Sequence, residues 1–383
     1  MKNYDIAAYV WPSYTGKEPR TKIFWPDGIG EWQTVKTARS FVSGDNWPRK
    51  PLLGYQEEAD AKVMEEQIDL ACKYGVNVFI YDWYWFDRRP FLEQCLNEGF
   101  LKAKNCNQMQ FYLMWANHDV TTLWDKRMSE HYEDFDYTLW LGAQDRNEFE
   151  IIVDRIINKY FTKDNYYKID GCPVFSIYQI YNFIKGLGGL ENAKQAVEYF
   201  RAQTKKAGFK DLHLQFTIGN EDLTKPCPLN PSENGRFKYP MDYLGADSFT
   251  HYQMCSINWT ENITHETIPY LEKLGQVKAE WDRIESSNYN QKFYPHISVG
   301  WNTTPRFNKF IPYCLTDCTK ENIQKAFEMA KEYLDRHSEL TPKLLTVNSW
   351  NEWTETSYLL PDDINGYGYL EALKKVFKGE DNE

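Results

Sequence analysis

Two carboxyl groups near the end of the chain have the spacing and the neighbours that acid–base chemistry on a sugar would need. Residues 350–355 read Trp-Asn-Glu-Trp-Thr-Glu, so Glu352 and Glu355 lie three positions apart beside two indole side chains. Cleavage of a glycosidic bond normally uses one carboxyl to protonate the leaving oxygen and another as base or nucleophile. Trp350 and Trp353 would exclude water and raise the pKa of the acid. Because Glu-x-x-Glu pairs are more often solvent-exposed helix faces, the elements that carry the pair must decide between the two interpretations.

The chain predicts eight strands separated by amphipathic helices. The strand-like runs are short, are bounded by Gly, Pro or Asn, and are rich in Val, Ile, Phe and Tyr. Between them, apolar residues recur with the helical period, as at Met64, Ile68 and Ala71, and Gly75 would end that helix. The predicted strands cover residues 5–11, 76–83, 110–116, 173–178, 213–218, 243–250, 294–300 and 344–350.

This alternation predicts an α/β protein, and specifically a (β/α)8 TIM barrel. A doubly wound sheet is the alternative, but it would usually have a Gly-rich phosphate turn after its first strand. Residues 11–14 read Trp-Pro-Ser-Tyr at that place, so this turn is absent. We therefore expect one catalytic domain over residues 1–383, with residues 12–55 as a long lid-like loop over the barrel mouth.

Active sites of such barrels lie at the carboxyl ends of the strands, and those ends carry aromatic, amide and carboxyl side chains. A cleft lined in this way suits a glycan. The fifth strand would contribute from residues 220–222. With Glu352 and Glu355 as the candidate catalytic pair, the candidate substrate-binding residues are Trp11, Trp32, Asp82, Tyr84, Trp115, Asn117, His118, Tyr178, His251, Trp301, Arg306, Trp350 and Trp353.

Several of these candidates have a second interpretation. Asp82 follows an apolar run, where an unpaired buried carboxylate is costly, so it either binds a sugar hydroxyl or pairs with Arg88 or Arg89. Trp115 and Trp301 are either stacking platforms or core residues.

The remaining candidates are equally open. Arg306 would hold an acidic sugar, orient Glu355, or form a surface ion pair. Asn117 and His118 would bind hydroxyls or have structural roles. Glu31, in the proposed lid, would either seal the cleft or have a capping role, and the capping role is the expected one.

Composition excludes several kinds of partner. With 44 basic and 55 acidic residues the net charge is −11, which disfavours nucleic acid and anionic lipid. The most apolar run, residues 76–81, is far shorter than the roughly 20 residues of a membrane helix, so we expect no membrane insertion. The aromatic content of 16% suits sugar rings, although core packing also explains it.

Metal and cofactor sites are not predicted either. The eight Cys include no CxxC pair and the seven His no HExxH motif. We expect reduced thiols, no metal and no cofactor. The first residues lack an apolar signal region, so the expected location is the cytoplasm, or the periplasm or exterior if a leader has been removed.

Ordered blocks across nearly the whole chain resemble the bacterial WbsX-type proteins related to glycoside hydrolase family 99. The terminal block, residues 348–355, is the most specific of them. The resemblance implies a (β/α)8 barrel, carbohydrate chemistry on an oligosaccharide or polysaccharide, and no metal requirement. The blocks are Tyr9, Pro12, residues 30–32, residues 115–117, residues 300–303, Arg306, residues 348–355, Leu359, residues 361–362 and residues 366–367.

The resemblance also implies roles for the pair. The resemblance to family 99 implies the mechanism of its endo-α-mannosidase group. In that mechanism the 2-hydroxyl of the sugar takes part in the reaction, and the configuration of the anomeric carbon is retained. By position, Glu352 would take the proton of that hydroxyl, and Glu355 would be the acid for the leaving group and then the base for water. This chain departs from the family at Thr356, where Gly is frequent, and after residues 115–117, where His118 begins a different tripeptide.

These observations favour a retaining glycoside hydrolase for an α-mannoside-like or α-rhamnoside-like bond. Because WbsX-type proteins are often labelled glycosyltransferases, the first alternative is a transferase of surface-polysaccharide assembly, which a bound sugar nucleotide would reveal. The second is a non-catalytic carbohydrate-binding barrel, in which the two carboxyl groups would lie too far apart or one would point away.

Overall fold

A closed ring of parallel strands forms the centre of the molecule. The computed structural model describes residues 4–42, 44–125, 127, 137–218, 239–257, 266–287, 289–307 and 309–379. Every barrel strand pairs in parallel with its neighbours. In chain order the barrel strands are β1 (Tyr4–Val10), β2 (Val78–Phe86), β3 (Gln110–Trp115), β4 (Cys172–Ile177), β5 (His213–Ile218), β6 (Ser248–His251), β7 (Lys292–Phe293 and His296–Ser298) and β8 (Lys343–Asn348).

The two pieces of β7 close the ring. Lys292–Phe293 pairs with β6, and His296–Ser298 pairs with β8. Pro295, which lies between the pieces, has no N–H to donate and interrupts the ladder, but its carbonyl accepts from the Thr346 N–H at 3.1 Å. The strand order therefore runs around a complete circle, and the predicted (β/α)8 barrel is confirmed.

Helices on the outside follow the strands. Thr319 caps one of them, since its hydroxyl accepts from the Asn322 N–H at 3.3 Å, and Gly75 ends another in the left-handed region at φ 102°. The helices are α1 (Trp32–Lys36), α2 (Ala61–Tyr74), α3 (Arg146–Ile156), α4 (Ile180–Gly186), α5 (Leu190–Lys206), α6 (Pro240–Leu244), α7 (Tyr270–Ser286), α8 (Thr304–Phe307), α9 (Lys320–Arg336) and α10 (Gly368–Phe377).

Short strands in the connecting loops decorate this frame. They form small antiparallel or parallel pairs, or add to the edge of a barrel strand. Their bounds are Arg89–Phe91, Val120–Thr121, Thr138–Trp140, Lys168–Ile169, Thr267–Pro269, Cys314–Thr316, Asn351–Glu352 and Ser357–Tyr358.

One predicted strand was placed too early. Residues 243–250 were expected to be extended, but α6 occupies Pro240–Leu244, and β6 begins only at Ser248. Pro240 stands at the first helical position, which suits its fixed φ. Gly245, at φ 74°, then ends the helix in the left-handed region.

Alternation along the strands decides which side chains face the barrel axis. Thr250 of β6 and Thr346 of β8 share a hydrogen bond of 2.8 Å across the interior, and His296 lies 2.9 Å from the same Thr346 hydroxyl. On β2, the indoles of Trp83 and Trp85 point outward and donate to carboxylates of the outer layer. Asp82 and Tyr84, which alternate with these indoles along β2, face inward at the carboxyl end, where the candidate site lies.

Residues 12–55 pack between other loops of the carboxyl end. Trp25 stacks on Trp124 at 6.5 Å, and the Leu52 N–H donates to the Pro361 carbonyl at 2.9 Å. The lid-like role of this segment and the single-domain interpretation stay predictions. Within the described ranges, no helix is long and apolar enough to cross a membrane.

Candidate active site

A cavity of about 310 Å³ lies at the carboxyl end of the barrel. Its wall contains carboxyl, guanidinium, imidazole and phenol groups together with indole rings, and its size is at the lower end for ligand pockets. Side chains from the ends of seven of the eight barrel strands, or from the loops that follow them, contribute to it. The lining residues are Trp11, Asp82, Tyr84, Met114, Ala116, His118, Trp124, Tyr178, Gln179, Tyr252, Arg306, Glu352 and Glu355.

A tight turn after β8 brings Glu352 and Glu355 into this cavity. Asn351–Glu352 pairs with Ser357–Tyr358, and Trp353–Glu355 forms one 3-10 turn between them. The turn ends at Thr356, which adopts φ 56°. Two chemically useful carboxyl groups thus come from one short loop rather than from an exposed helix face.

Arg306 holds both carboxyl groups. Its NH1 lies 2.7 Å from Oε1 of Glu355, and its NH2 lies 3.0 Å from Oε2 of Glu352. The Asn302 side chain accepts from the Thr304 N–H at 2.9 Å and so begins the short helix α8 that carries the arginine. Since the Arg306 side chain is only 11% exposed, the surface ion pair considered for it is wrong, and it orients both glutamates.

Glu31 holds the arginine from the other side. Its Oε1 accepts from Arg306 Nε at 3.3 Å and from the Thr354 hydroxyl at 2.8 Å. Its Oε2 accepts from the Ser13 hydroxyl at 3.0 Å and from the Trp11 indole N–H. Glu31 stands at the start of α1 but makes no side-chain capping bond, so the expected capping role is wrong. It links the loop after β1 to the turn that carries Glu352 and Glu355.

Burial and mutual repulsion favour a proton on the pair. Burial, and then the charge of Glu355, raise the pKa of Glu352 well above its usual range, although the Arg306 guanidinium opposes this shift. Burial also raises the pKa of Glu355, again against Arg306. Such a pair titrates as a unit, so it combines an acid with an anion at neutral pH.

Tyr252 connects this pair to a third carboxyl group. Its hydroxyl lies 3.1 Å from Oδ2 of Asp82 and 3.3 Å from Oε1 of Glu352. Asp82 is nearly fully buried, and burial raises its pKa well above the usual range. Arg88 pairs with Glu148, and Arg89 with an aspartate of its own loop; the alternative that either pairs with Asp82 is therefore wrong.

Aromatic rings form one side of the cavity. The His118 ring contacts Tyr84 at 5.6 Å, Trp124 at 5.8 Å and Tyr178 at 5.8 Å. Trp11 packs edge-on against Tyr84 at 5.6 Å. Burial lowers the pKa of His118, so this wall is uncharged at neutral pH. It offers apolar faces beside the carboxyl groups, as a sugar ring requires.

Eight of the fifteen predicted site residues therefore line the cavity. The other seven lie elsewhere, and the ligand-binding roles of both groups stay predictions. Lining the cavity are Trp11, Asp82, Tyr84, His118, Tyr178, Arg306, Glu352 and Glu355; outside it are Trp32, Trp115, Asn117, His251, Trp301, Trp350 and Trp353.

Strand alternation places three of these residues away from the cavity. Trp115 points outward and packs against Phe149 of α3, with ring centres 6.1 Å apart. His251 points outward too and packs edge-on against Phe293 at 5.6 Å. Asn117 uses both ends of its amide on the backbone of Gln179, at 2.7 and 2.9 Å, and so ties two loops together.

The remaining indoles support the site from behind or lie in another cavity. Trp350 donates to Gln67 Oε1 at 2.8 Å, and Trp353 stacks on Tyr358 at 3.9 Å. Trp32 packs against Trp353 with ring centres 5.6 Å apart. Trp301 lines a second, separate cavity beside the turn.

The sequence interpretation missed five residues of the cavity wall. Tyr252 follows His251 on β6, and Met114 and Ala116 flank Trp115 on β3. The period-two alternation of strands would have pointed to all three. Trp124 and Gln179 lie in loops, where no such periodicity exists. The predicted contribution of residues 220–222 lies outside the described residues.

No cluster of three or more His, Cys, Asp or Glu side chains in the described ranges has the arrangement of a metal site. The expectation of no metal and no cofactor stays a prediction.

Comparison with known proteins relates almost the whole chain to carbohydrate-associated proteins. The sequence model of the family described as "Glycosyltransferase WbsX" matches residues 6–373. WxcX of Xanthomonas campestris pv. campestris, described as an uncharacterized protein, is 23% identical over 366 residues, which cover 94% of this chain and 47% of that protein. The chain thus spans about half the length of the curated relatives it matches.

Solved structures share the fold. A "Glycoside hydrolase-like protein" aligns with a TM-score of 0.61 and 16% identity over 98% of this chain and 94% of its own. The GH99 endo-alpha-mannosidase from Bacteroides thetaiotaomicron aligns with a TM-score of 0.56 and 15% identity, covering 99% of this chain and 98% of its own. At these identities the likeness concerns architecture.

Proposed function

Because the chain belongs to the family described as "Glycosyltransferase WbsX", we propose that it acts on glycosidic bonds, and specifically as a glycoside hydrolase. The substrate is an α-mannoside-like or α-rhamnoside-like linkage in a complex glycan, cleaved with retention of configuration. One observation carries the proposal: Glu352 and Glu355 line a single cavity and bind the same guanidinium. A non-catalytic barrel would have no need of two buried carboxyl groups held in this way.

In the proposed first step, Glu352 takes the proton of the sugar 2-hydroxyl. That oxygen forms a bond to the anomeric carbon while the bond to the leaving oxygen breaks, and Glu355 gives its proton to the leaving oxygen. In the second step Glu355 takes a proton from water while the water oxygen bonds to the anomeric carbon, the bond between that carbon and the 2-oxygen breaks, and Glu352 returns its proton to the 2-oxygen. Both carboxyl groups regain their starting states, and the double inversion gives retention. These roles follow the resemblance to family 99.

The environment of the pair suits this division of labour. Burial and the neighbouring charge raise the pKa of both glutamates, which keeps an acid protonated near neutral pH. Arg306 stabilises the anion that remains, since an ion pair in a low-dielectric site is stronger than in water. The aromatic wall formed by His118, Tyr84 and Tyr178 supplies apolar surface beside these groups.

The family description favours a second candidate, a glycosyltransferase of polysaccharide assembly. Such an enzyme would have to bind a sugar nucleotide, whose phosphates require cationic or N–H donors. Among the described residues that line this cavity, Arg306 is the cation, and it is already bound to Glu31, Glu352 and Glu355. The hydrolase is therefore the better-supported candidate.

Two measurements on the purified chain separate the candidates. Release of a reducing sugar from aryl α-mannosides, aryl α-rhamnosides or bacterial polysaccharides, with the configuration of the first product followed by NMR, supports the hydrolase. Calorimetry with sugar nucleotides and with matched oligosaccharides provides the opposing test. Heat with a sugar nucleotide and none with any oligosaccharide would reverse the order of the candidates.

A further inference from the structure

The number of protons available to Tyr252 constrains the charge of its two neighbours. Its hydroxyl lies within 3.3 Å of both Asp82 and Glu352, at Oδ2 of the first and Oε1 of the second. A phenol has one proton and donates to one acceptor. If both contacts are hydrogen bonds, one of the two carboxyl groups must itself carry a proton and donate to the phenol oxygen.

The surroundings decide which carboxyl group is neutral. Glu352 receives Arg306 NH2 at 3.0 Å on its other oxygen, and its backbone N–H donates to the Ser349 hydroxyl at 2.8 Å, which fixes the turn. Asp82 has no such cation: none of the described ion pairs includes it, and its Oδ1 has no hydrogen-bond partner in the described part of the chain. The stable arrangement puts the negative charge on Glu352 and the proton on Asp82.

Every titratable group that faces Asp82 supports the same assignment. Besides Tyr252, these groups are the phenols of Tyr9 and Tyr84 and the carboxyls of Glu352 and Glu355, which are neutral or negative. The Arg306 guanidinium is shared among three other carboxylates. Negative charge on Asp82 would therefore be buried without compensation, which is costly.

We propose that Asp82 is a neutral carboxylic acid that donates to Tyr252, and that the Tyr252 hydroxyl donates to Glu352 and so holds Glu352 in the ionised form a base requires. The role of Glu352 as a base rests on the proposed function; the protonation of Asp82 does not. Burial raises the pKa of Asp82 and of Tyr252 well above their usual ranges, which agrees with both groups keeping their protons. Asp82 is thus a positioning residue that acts through Tyr252.

This chain of donors explains how one site can hold an acid and a base of the same residue type. Burial alone pushes both Glu352 and Glu355 toward the neutral form. A hydrogen bond donated to the charged form lowers a carboxyl pKa, and Tyr252 contacts Glu352. This hydrogen bond favours the anion on Glu352, and the proposed function then places the proton of the pair on Glu355.

The first test needs no substrate. Infrared spectra of the intact chain at neutral pH should contain the carbonyl band of a protonated carboxylic acid that is lost in Asp82→Asn and shifted in Tyr252→Phe. Glu328→Gln is the control, because Glu328 is exposed on α9, and this variant should leave the band of the parent protein in place. An unchanged spectrum in folded Asp82→Asn would overturn the proposal, whatever the enzymatic activity.

The second test uses the pH dependence of kcat/KM. Asp82→Asn keeps an N–H donor for Tyr252 and should retain activity within a few-fold. Asp82→Ala and Tyr252→Phe should move the acid limb to higher pH by about one unit, the equivalent of one hydrogen bond to a charged group. Equal losses in Asp82→Asn and Asp82→Ala, with an unmoved acid limb in Tyr252→Phe, would show that Asp82 works as a carboxylate. If no glycoside is turned over but the infrared band disappears in Asp82→Asn, the proposed function fails and the protonation stands.

Discussion

Arg306 Nε lies 3.3 Å from Oε1 of Glu31, although 275 positions separate the two residues in the chain. The contact joins the loop after β1 to the loop after β7, and the same guanidinium reaches Glu352 and Glu355 after β8. The turn that carries Glu352 and Glu355 is therefore held by a cation whose own orientation depends on a distant carboxylate. The loops that follow β1, β7 and β8 therefore meet at the Arg306 side chain.

Replacement of Arg306 should weaken both the fold and the chemistry. Arg306→Met leaves three buried carboxyl groups without their shared cation, and breaking a buried ion pair typically costs about 3–5 kcal/mol. The pKa of Glu352 should rise when the cation is lost, so the base is ionised only at higher pH and the acid limb of kcat/KM moves upward. Urea unfolding and a pH–rate profile measure both effects. Arg89→Met is the control, because Arg89 and its partner Asp87 are both more than half exposed and an exposed ion pair contributes little to stability. Equal stability of the two variants would refute the role given to Arg306.

Neutral replacement of either catalytic candidate should remove activity without unfolding the protein. Glu352→Gln and Glu355→Gln keep the size of the side chain but lose the proton transfer, so we expect kcat to fall by about 10²–10⁴-fold. Aryl glycosides with good leaving groups should partly restore turnover in Glu355→Gln, because they need no acid, but not in Glu352→Gln. Circular dichroism confirms folding. Full turnover by either folded variant would end the assignment of that residue.

The strand positions could be predicted because each barrel strand is a short buried run between Gly, Pro or Asn. Seven of the eight predicted ranges overlap a parallel strand closely, and the eighth was shifted because Pro240 and Gly245 bound a helix turn. The common location of Glu352 and Glu355 was also predictable, since their residue types, their place after β8 and their two indole neighbours all indicated one cleft; their catalytic role stays a prediction.

What failed was selection by residue type without regard to strand alternation. Trp115 and His251 were chosen for their chemistry, yet they face the outer layer, whereas Met114 and Tyr252 face the cavity. The contact of Glu31 with Arg306 had no sequence signal at all. It depends on how residues 12–55 pack, and no short-range pattern encodes such a long-range contact.

The contribution of Glu58 to the free energy of unfolding should fall as pH rises from about 5 to 8. Glu58 is buried below the turn that carries Glu352 and Glu355. Its carboxyl oxygens accept hydrogen bonds from Asn351 Nδ2 at 2.9 Å and from Gln67 Nε2 at 3.3 Å. Burial raises the pKa of Glu58 to about 8, compared with about 4.3 in an unfolded chain. Between these values the folded state holds a proton that the unfolded state has released, so the free energy of unfolding decreases with pH. We expect this contribution to be on the order of a few kcal/mol, measured by urea titration as the difference in pH dependence between the parent protein and Glu58→Gln.

Glu58→Gln should flatten this dependence, because the group that titrates is gone. Asp82, Glu352 and Glu355 have raised pKa values too, so part of the slope should remain. Glu328→Gln, on the exposed side of α9, should leave the slope of the parent protein unchanged. A steeper or identical slope in Glu58→Gln would contradict the protonated state assigned to this carboxyl.

Two glycine substitutions should have opposite effects. A Cβ at residue 300 would lie 2.1 Å from the Thr356 carbonyl oxygen, far inside van der Waals contact, and that carbonyl follows Glu355 directly. Gly300→Ala must therefore displace the turn that carries Glu352 and Glu355, and we expect a loss of about 1–3 kcal/mol in stability together with a large fall in kcat.

Gly275 lies within α7, and a Cβ there meets no described atom within 4 Å. Gly275→Ala should therefore increase the free energy of unfolding by about 0.5–1 kcal/mol, because alanine favours the helix. Thermal unfolding and initial rates distinguish the two variants. Unchanged kcat in Gly300→Ala would mean that the position of the turn beside β7 does not control the chemistry of Glu355.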